Sequence, residues 1–148
     1  MFGKDKKLEN SKNDILLNAD SLTLAKAAAG VLIEKKALDV SVFAVYEESS
    51  VTDYYVNASG RSSTQVASLA DEVVDKMSIG GRDALRVEGR SGKSWILVDF
   101  GDVIVNVFDR PSREFYNFDR LMPQNSRVDL TDVINAIDEK YDLNKKED

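Results

Sequence analysis

The sequence predicts an α/β (α+β) domain built on a mixed sheet of about five strands, with helices mainly on one face. The first observation is the order of the elements, which is helix, two strands, helix, three strands and two helices. The second is an apolar stripe at helical spacing, formed by Val66, Leu69, Ala70, Val73 and Met77. The third is a pair of alternating apolar strands joined by a tight turn over residues 95–108.

Each element has a local signal in the sequence. Ser21 is a candidate N-cap for the first helix, and a serine after Gly60 starts the striped helix. Pro123 ends the helix that follows the hairpin. Helices are predicted over 21–36, 63–76, 110–122 and 129–140, and strands over 40–46, 54–58, 84–88, 95–100 and 103–108.

The chain divides into three parts by composition. Residues 1–19 are polar and mixed in charge, which predicts a flexible leader with a frayed terminus. Residues 20–122 hold the predicted sheet and its helices, and 148 residues are enough for one such domain. Residues 123–148 predict a C-terminal helix followed by an acidic, disordered tail over 142–148.

The composition excludes several kinds of site. The chain has no cysteine, so disulfides and thiolate metal sites are excluded. It has no histidine either, which excludes histidine general bases, Ser-His-Asp triads and histidine-ligated metals. These absences remove a large part of enzyme chemistry. The expectation for this chain is no catalytic residue, no metal and no cofactor.

Hydropathy and the amino-terminal residues bear on location. The sequence has no run of about 18 apolar residues, so no membrane span is predicted. The first residues lack both the apolar core of a signal peptide and the acid-poor character of a transit peptide. We expect a cytoplasmic protein.

Charge is the strongest indication of the kind of partner. The formal net charge of the chain is -6. Residues 129–148 contain seven acidic and three basic residues, so most of the negative charge lies at this end. Duplex-binding proteins usually show clustered basic residues, and here no basic run exceeds two residues. Direct DNA binding is disfavoured, and an acidic chain of this kind is better suited to a basic protein partner.

The hairpin over 95–108 carries large apolar side chains on both faces. Because strand side chains alternate, one set belongs to the core against the helices, namely Ile96, Val98, Phe100, Val103, Val105 and Val107. The opposite face then carries Trp95, Leu97, Asp99, Ile104, Asn106 and Phe108. Large apolar groups beside a few polar ones are typical of a protein contact surface. The alternative is that the C-terminal helix or the leader covers this face, and the pattern alone favours neither.

Four segments of the chain resemble the Iojap or ribosomal silencing factor (RsfS) family. They are KALDVSVFAV (36–45), DYYVNASGRSSTQVASLADEV (53–73), RVEGRSGKSWILVDFGDVIVNVF (86–108) and REFYNFDRL (113–121). Asn106 replaces a usual histidine, Phe118-Asp119 replaces Leu-Glu, and Met122 replaces a terminal tryptophan. The core around Trp95, Asp99 and Gly101-Asp102 agrees with the family pattern.

The resemblance implies a nucleotidyltransferase-like fold without catalysis, in a translation repressor. It implies binding to the large ribosomal subunit through ribosomal protein 14 of that subunit, which blocks subunit joining sterically. The contact residues would be those of the outer hairpin face: Trp95, Leu97, Asp99, Ile104, Asn106 and Phe108. Asp99 would pair with a basic group, Asn106 would orient the contact, and the other four would supply apolar area. A homodimer through part of the same face is also implied.

The alternative function is a nucleotidyltransferase-like enzyme. The Gly60-Arg61-Ser62-Ser63 turn lies between a strand and a helix, where backbone N–H groups can hold a phosphate. Asp99 and Asp102 are candidate Mg²⁺ ligands. Both signals are weak, because a helix-capping turn explains the first and a tight turn beside Gly101 explains Asp102.

Overall fold

The structure is a computed structural model, and it describes residues 13–147. Its helices are α1 (Ser21–Glu34), α2 (Ser63–Ile79), α3 (Arg110–Tyr116), the 3-10 helix η1 (Phe118–Leu121) and α4 (Thr131–Glu147). Its strands are β1 (Leu38–Ala44), β2 (Tyr54–Gly60), β3 (Arg86–Glu88), β4 (Trp95–Asp99) and β5 (Val103–Asp109). The element order is the one predicted from the sequence.

The five strands form one mixed sheet in the order β1-β2-β5-β4-β3. β2 and β5 are parallel, with Asn57 opposite Asn106, and the other three pairs are antiparallel. The chain between β2 and β5 includes α2, which crosses over one face of the sheet, and this connection permits the parallel pairing. The predicted α/β (α+β) class and the mixed sheet of five strands are confirmed.

The core lies between the sheet and the helices α1 and α2. The predicted stripe of α2 is buried throughout, from Val66 to Met77. The hairpin contributes Ile96, Val98, Phe100, Val103, Val105 and Val107, and all six are buried. The predicted assignment of the two hairpin faces is therefore confirmed for the core side, and the burial of these groups dominates the stability of the fold.

Capping explains where the two core helices begin. The Ser62 hydroxyl accepts a hydrogen bond from the backbone N–H of Gln65, as predicted for the start of α2. The cap of α1 is Asp20 and not Ser21, because the Asp20 carboxylate accepts from the backbone N–H of Thr23 at 2.8 Å. Hydrogen bonds from the side chain and the backbone of Thr23 lower the pKa of Asp20.

The ends of the chain differ from the prediction. Within the predicted leader over 1–19, Leu16 is buried against Gly80, and its backbone N–H donates to the Gly80 carbonyl at 2.6 Å. The first twelve residues of that leader lie outside the described residues. At the other end, α4 continues to Glu147, so the expectation of a disordered tail from residue 142 is wrong for 142–147.

Helix α4 lies on the outer side of α1. The α4 side chain of Val133 packs over Gly30 of α1. Two ion pairs join the helices, Lys26 with Asp132 at 2.9 Å and Lys140 with Glu34 at 2.7 Å. Because α1 covers the core face of the sheet, α4 lies away from the opposite face and does not cover it.

Candidate functional site

The six predicted contact residues lie together on the sheet face opposite α1 and α2. Register pairs them across β4 and β5 as Trp95 with Phe108, Leu97 with Asn106 and Asp99 with Ile104. β2 continues the same face with Tyr55, Asn57 and Ser59, because Asn57 is opposite Asn106 in the parallel pair. The structure therefore brings all six together, as the alternation predicts.

Accessibility divides these six residues into two groups. Trp95, Leu97 and Asp99 are half-buried, whereas Ile104 is 4% exposed and Asn106 and Phe108 are 0% exposed. The expectation of an open face is wrong for Ile104, Asn106 and Phe108, because α3 and η1 fold back over this end of the sheet. The cover is neither the C-terminal helix nor the leader, which were the two segments considered from the sequence.

Aromatic packing attaches this cover to the sheet. The Phe118 ring of η1 meets Tyr55 edge-on at 5.0 Å between centroids and lies 6.4 Å from Phe108. Trp95 lies 4.9 Å from Phe108 on one side and 4.9 Å from Tyr116 of α3 on the other. Aromatic pairs at these separations stabilise by about 0.5–1.5 kcal/mol beyond their buried area. The cluster fixes Trp95 between the sheet and the cover.

A chain of hydrogen bonds runs through the same region from strand to strand. The Trp95 Nε1–H donates to Asn106 Oδ1 at 3.0 Å, and Asn106 Nδ2 donates to Asn57 Oδ1 at 3.0 Å. Asn57 Nδ2 then donates to Asp119 Oδ1 at 3.0 Å, and Arg113 Nη2 donates to Asp119 Oδ2 at 2.7 Å. We call these five side chains the polar ladder. It satisfies the buried amides and holds the indole in one orientation.

Sequence reasoning missed three members of the polar ladder. Asn57, Arg113 and Asp119 were assigned no role, although the sequence does carry one signal. Asn57 is an amide in the middle of the apolar strand YYVNA, on the face that alternation gives to Asn106. A buried amide requires a partner, so its presence indicates a second polar group nearby.

Asp99 is held at the open edge of this face. Its Oδ1 accepts from the backbone N–H of Gly101 at 2.7 Å, and its Oδ2 accepts from Arg86 Nε at 3.0 Å. Burial raises the pKa of the Tyr55 phenol, and the nearby Asp99 carboxylate raises it further. These two hydrogen bonds fix the orientation of the Asp99 carboxylate beside half-buried Leu97.

Exposed apolar side chains of the cover, among them Tyr116 packed against Trp95, form with Trp95 and Leu97 what we call the apolar rim. On the cover, Phe115 is 80% exposed, Tyr116 49% and Leu121 73%. On the strand side, Trp95 and Leu97 line a shallow groove of about 230 Å³ with Gly89. A side chain at Gly89 would collide with the Trp95 carbonyl oxygen, so a glycine is required for this close approach. The accessible surface therefore combines the exposed parts of Trp95 and Leu97 on β4 with the outer side of the cover.

The turn proposed for phosphate binding is occupied by helix capping. The Arg61 backbone N–H donates to Gln65 Oε1, and the Gln65 N–H donates to Ser62 Oγ. The turn at Gly101 uses Asp102 through its carbonyl, which accepts from the N–H groups of Asp53 and Tyr54. Within residues 13–147, no group of three or more acidic side chains is arranged to hold a metal ion.

The helices of the described region are all too short or too polar to cross a membrane.

Comparison with protein families gives one clear match. The family model described as "Ribosomal silencing factor during starvation" matches residues 18–148. This range includes the sheet, the cover and helix α4.

Two curated relatives and one solved structure agree with that match. The chain is 34% identical to ribosomal silencing factor RsfS of Zymomonas mobilis over 69% of this chain and 77% of the relative. It is 33% identical to RsfS of Bacillus subtilis, over 73% of this chain and 92% of the relative. The crystal structure of a Chromobacterium violaceum protein superposes with a TM-score of 0.68 at 28% identity, covering 76% of this chain and 96% of that one.

Proposed function

The chain belongs to the RsfS family of ribosomal silencing factors, and on that basis we propose that it silences ribosomes by binding the large subunit through ribosomal protein 14 of that subunit. Bound there, the protein blocks joining of the small subunit sterically and represses translation. It acts in the cytoplasm and without catalysis.

One observation carries the proposal, and it is the half-buried Trp95 in the apolar rim. Tryptophan held rigidly and partly exposed loses little conformational entropy on binding, which is why it often dominates interface energies. Leu97 extends the apolar area along the strand. Asp99 is paired with Arg86 in the free protein, and an arginine or lysine of the partner would share or replace that pairing.

Burial changes the expected roles of the other predicted contact residues. Asn106 and Phe108 are fully buried in the free protein, so they support Trp95 from beneath. Ile104 lies in the same layer. We therefore propose direct contact through Trp95, Leu97 and Asp99 with the outer side of the cover, and indirect support from Ile104, Asn106 and Phe108.

Charge supports a basic partner. The chain has a net charge of -6 at neutral pH. A ribosomal protein that itself binds RNA is basic, so opposite net charges accelerate the encounter and favour the correct orientation.

The test is co-sedimentation with purified large ribosomal subunits, comparing wild-type protein with Trp95→Ala. We expect Trp95→Ala to bind at least about thirtyfold more weakly, because loss of one anchor of this kind costs about 2 kcal/mol or more. Ile134→Ala is the matched control, since Ile134 is a 44% exposed apolar residue on α4, remote from this face. Circular dichroism checks that each variant is folded.

The two outcomes separate clearly. Binding that depends on Trp95 and not on Ile134 supports the proposed surface. If folded wild-type protein fails to bind large subunits, the proposed function is wrong. If Trp95→Ala and Ile134→Ala reduce the affinity for large subunits equally, the contact does not depend specifically on the surface around Trp95.

We also propose that self-association uses part of the same rim, so that a homodimer and the ribosome compete for it. Sedimentation equilibrium at high protein concentration tests this. A dimer that dissociates on Trp95→Ala supports competition, and a strictly monomeric wild-type protein contradicts it.

A further inference from the structure

A polar cavity lies away from Trp95, at the end of the sheet where the parallel strands β2 and β5 finish. It has a volume of about 590 Å³ and is bordered by β1, by the end of β2, by the cover and by Arg127. Ligand sites commonly lie at the carboxyl ends of parallel strands, and sites for small molecules have about this volume.

Hydrogen-bond donors from four parts of the chain converge on this cavity. Ser41 Oγ accepts from Arg127 Nη1 at 2.9 Å and Ser59 Oγ accepts from Arg113 Nη1 at 3.0 Å, so each buried hydroxyl retains its hydrogen to donate. Arg110 lines the same cavity. Arginine and hydroxyl donors at one place are the usual recognition groups for a phosphate.

Charge pairing decides which arginines are available. Arg113 is neutralised by Asp119 at 2.7 Å. Within the described residues, Arg110 and Arg127 form no ion pair, and Arg127 is held in place by stacking 5.1 Å above the Phe43 ring. Two positive groups are therefore available to an anion.

Three carboxylates lie in the lining. Asp119 is paired with Arg113, which leaves those of Asp39 and Glu114. They would repel a bare polyanion, but each can accept hydrogen bonds from hydroxyl groups. The cavity accordingly favours a ligand that carries hydroxyl groups next to its phosphate. Among the lining residues, Val40 is the one apolar side chain and none is aromatic, so the cavity offers no surface on which a base could stack.

Backbone strain is concentrated at the same place. Asp39 and Asn117 both line the cavity, and both have left-handed backbone conformations, with φ of 49° and 48°. Asp39 also lies where the register of β1 and β2 shifts, which turns its carbonyl toward Arg113 Nη2 at 3.0 Å. Strain in residues other than glycine is often retained at sites with a function.

We propose that this cavity binds a sugar phosphate. The phosphate lies against Arg110, Arg127 and the two serine hydroxyls, and the sugar hydroxyls donate to Asp39 and Glu114. The ligand is a free sugar phosphate or a ribose phosphate unit of RNA, since both carry the same groups. This site is separate from the proposed ribosome-binding rim and does not depend on it.

The site is connected to Trp95 through the polar ladder. Arg113 forms part of the cavity wall and also donates to Asp119, which leads through Asn57 and Asn106 to the indole. Trp95 is the one tryptophan of the sequence, so its fluorescence reports on the ladder without interference from another indole. Occupation of the cavity is expected to change that fluorescence.

The test is isothermal titration of the full chain with ribose 5-phosphate, inorganic phosphate and a short single-stranded RNA, with Trp95 fluorescence followed in parallel. Arg110→Gln removes an exposed phosphate donor and should weaken binding of ribose 5-phosphate about tenfold. Glu114→Ala should weaken ribose 5-phosphate but not inorganic phosphate. Arg120→Gln is the matched control, because Arg120 is an exposed arginine of η1 outside the cavity lining.

The outcomes distinguish the two sources of the ligand and can overturn the proposal. Ribose 5-phosphate binding that falls with Arg110→Gln and not with Arg120→Gln supports a free sugar phosphate. RNA binding with the same dependence, and no binding of ribose 5-phosphate, supports ribose phosphate of RNA. If folded protein binds neither, or binds inorganic phosphate as tightly as ribose 5-phosphate, the proposal is wrong. Large-subunit binding is measured separately, so the proposed function stands or fails independently.

Discussion

Asn106 connects the half-buried Trp95 to the interior of the protein. It is 0% exposed, accepts from Trp95 Nε1 and donates to Asn57, so both ends of its amide are used. The amide supplies one acceptor and one donor at this position. The residue thus orients a contact side chain that it does not itself expose.

Replacing Asn106 by leucine should destabilise the protein by about 2 kcal/mol, because two buried polar groups, the Trp95 N–H and the Asn57 carbonyl, would lose their partners. Urea unfolding followed by Trp95 fluorescence measures the change. Asn135→Leu is the control, since Asn135 is exposed on α4 and its substitution should change stability by less than about 0.5 kcal/mol. Equal effects of the two substitutions would contradict a role for the polar ladder.

At the scale of elements, the cover over the sheet is short and depends on specific contacts. α3 has seven residues and no buried side chain, and η1 has four. Asp109 caps α3 through the Ser112 N–H, and the turn at Asn117 redirects the chain into η1. Its position therefore depends on the Phe118 contacts and on the Arg113–Asp119 pair, and not on an apolar helix face.

Helix α4 is attached to α1 differently, through the packing of Val133 over Gly30 and two ion pairs at the surface. The hydrogen bond from Lys140 lowers the pKa of Glu34, and the one from Lys26 lowers the pKa of Asp132. The same Glu34 contact raises the pKa of Lys140. A lowered carboxyl pKa stabilises the folded state above the ordinary pKa and loses that contribution as pH falls through the lowered value.

We therefore expect α4 to detach from α1 in acid, below about pH 4, before the sheet unfolds. Between about pH 5 and 9 its attachment should be unchanged, because both carboxylates stay ionised and Lys140 stays protonated. Hydrogen exchange of the α4 amides at a series of pH values measures this. In Lys140→Met the Glu34 pair is absent, so the dependence on pH should be smaller. A dependence identical to wild type would show that the pair does not hold the helix.

At the scale of the whole molecule, net charge governs association more than folding. The charge of -6 acts over distances set by salt, with a screening length of about 10 Å at 0.1 M. The carboxylate of Asp99, at the edge of the rim, adds a local charge that a basic partner would meet directly.

Binding to large subunits should weaken by about tenfold when sodium chloride rises from about 0.05 to 0.5 M. Affinity measured by co-sedimentation across this range gives the slope. Asp99→Asn should bind with a shallower salt dependence, whereas Trp95→Ala should keep the wild-type slope at lower affinity, because it changes no charge. Affinity that is independent of salt would contradict an electrostatic contribution.

Much of the architecture follows from local properties of the chain. The spacing of Val66, Leu69 and Met77 places them on the same face of a helix, which predicts that this face is buried. The alternation of side chains from Trp95 to Phe108 assigns each residue to one of the two sheet faces. The order of elements and the mixed sheet follow from these patterns, because apolar periodicity determines which side of each element is buried. The family resemblance likewise lies in short segments that the sequence itself displays.

What the sequence determined by itself was the fold, the face on which Trp95 lies and the kind of partner that its charge favours. Only the tertiary structure decided that α3 and η1 cover Asn106 and Phe108, that Asp119 completes the polar ladder, and that Arg110, Arg113 and Arg127 meet at one cavity. The physical reason is distance along the chain. Residues close together in the sequence show which face of a helix or strand is apolar, so burial of that face can be predicted. A hydrogen bond between Asn57 and Asp119 depends instead on how segments far apart in the sequence fold together.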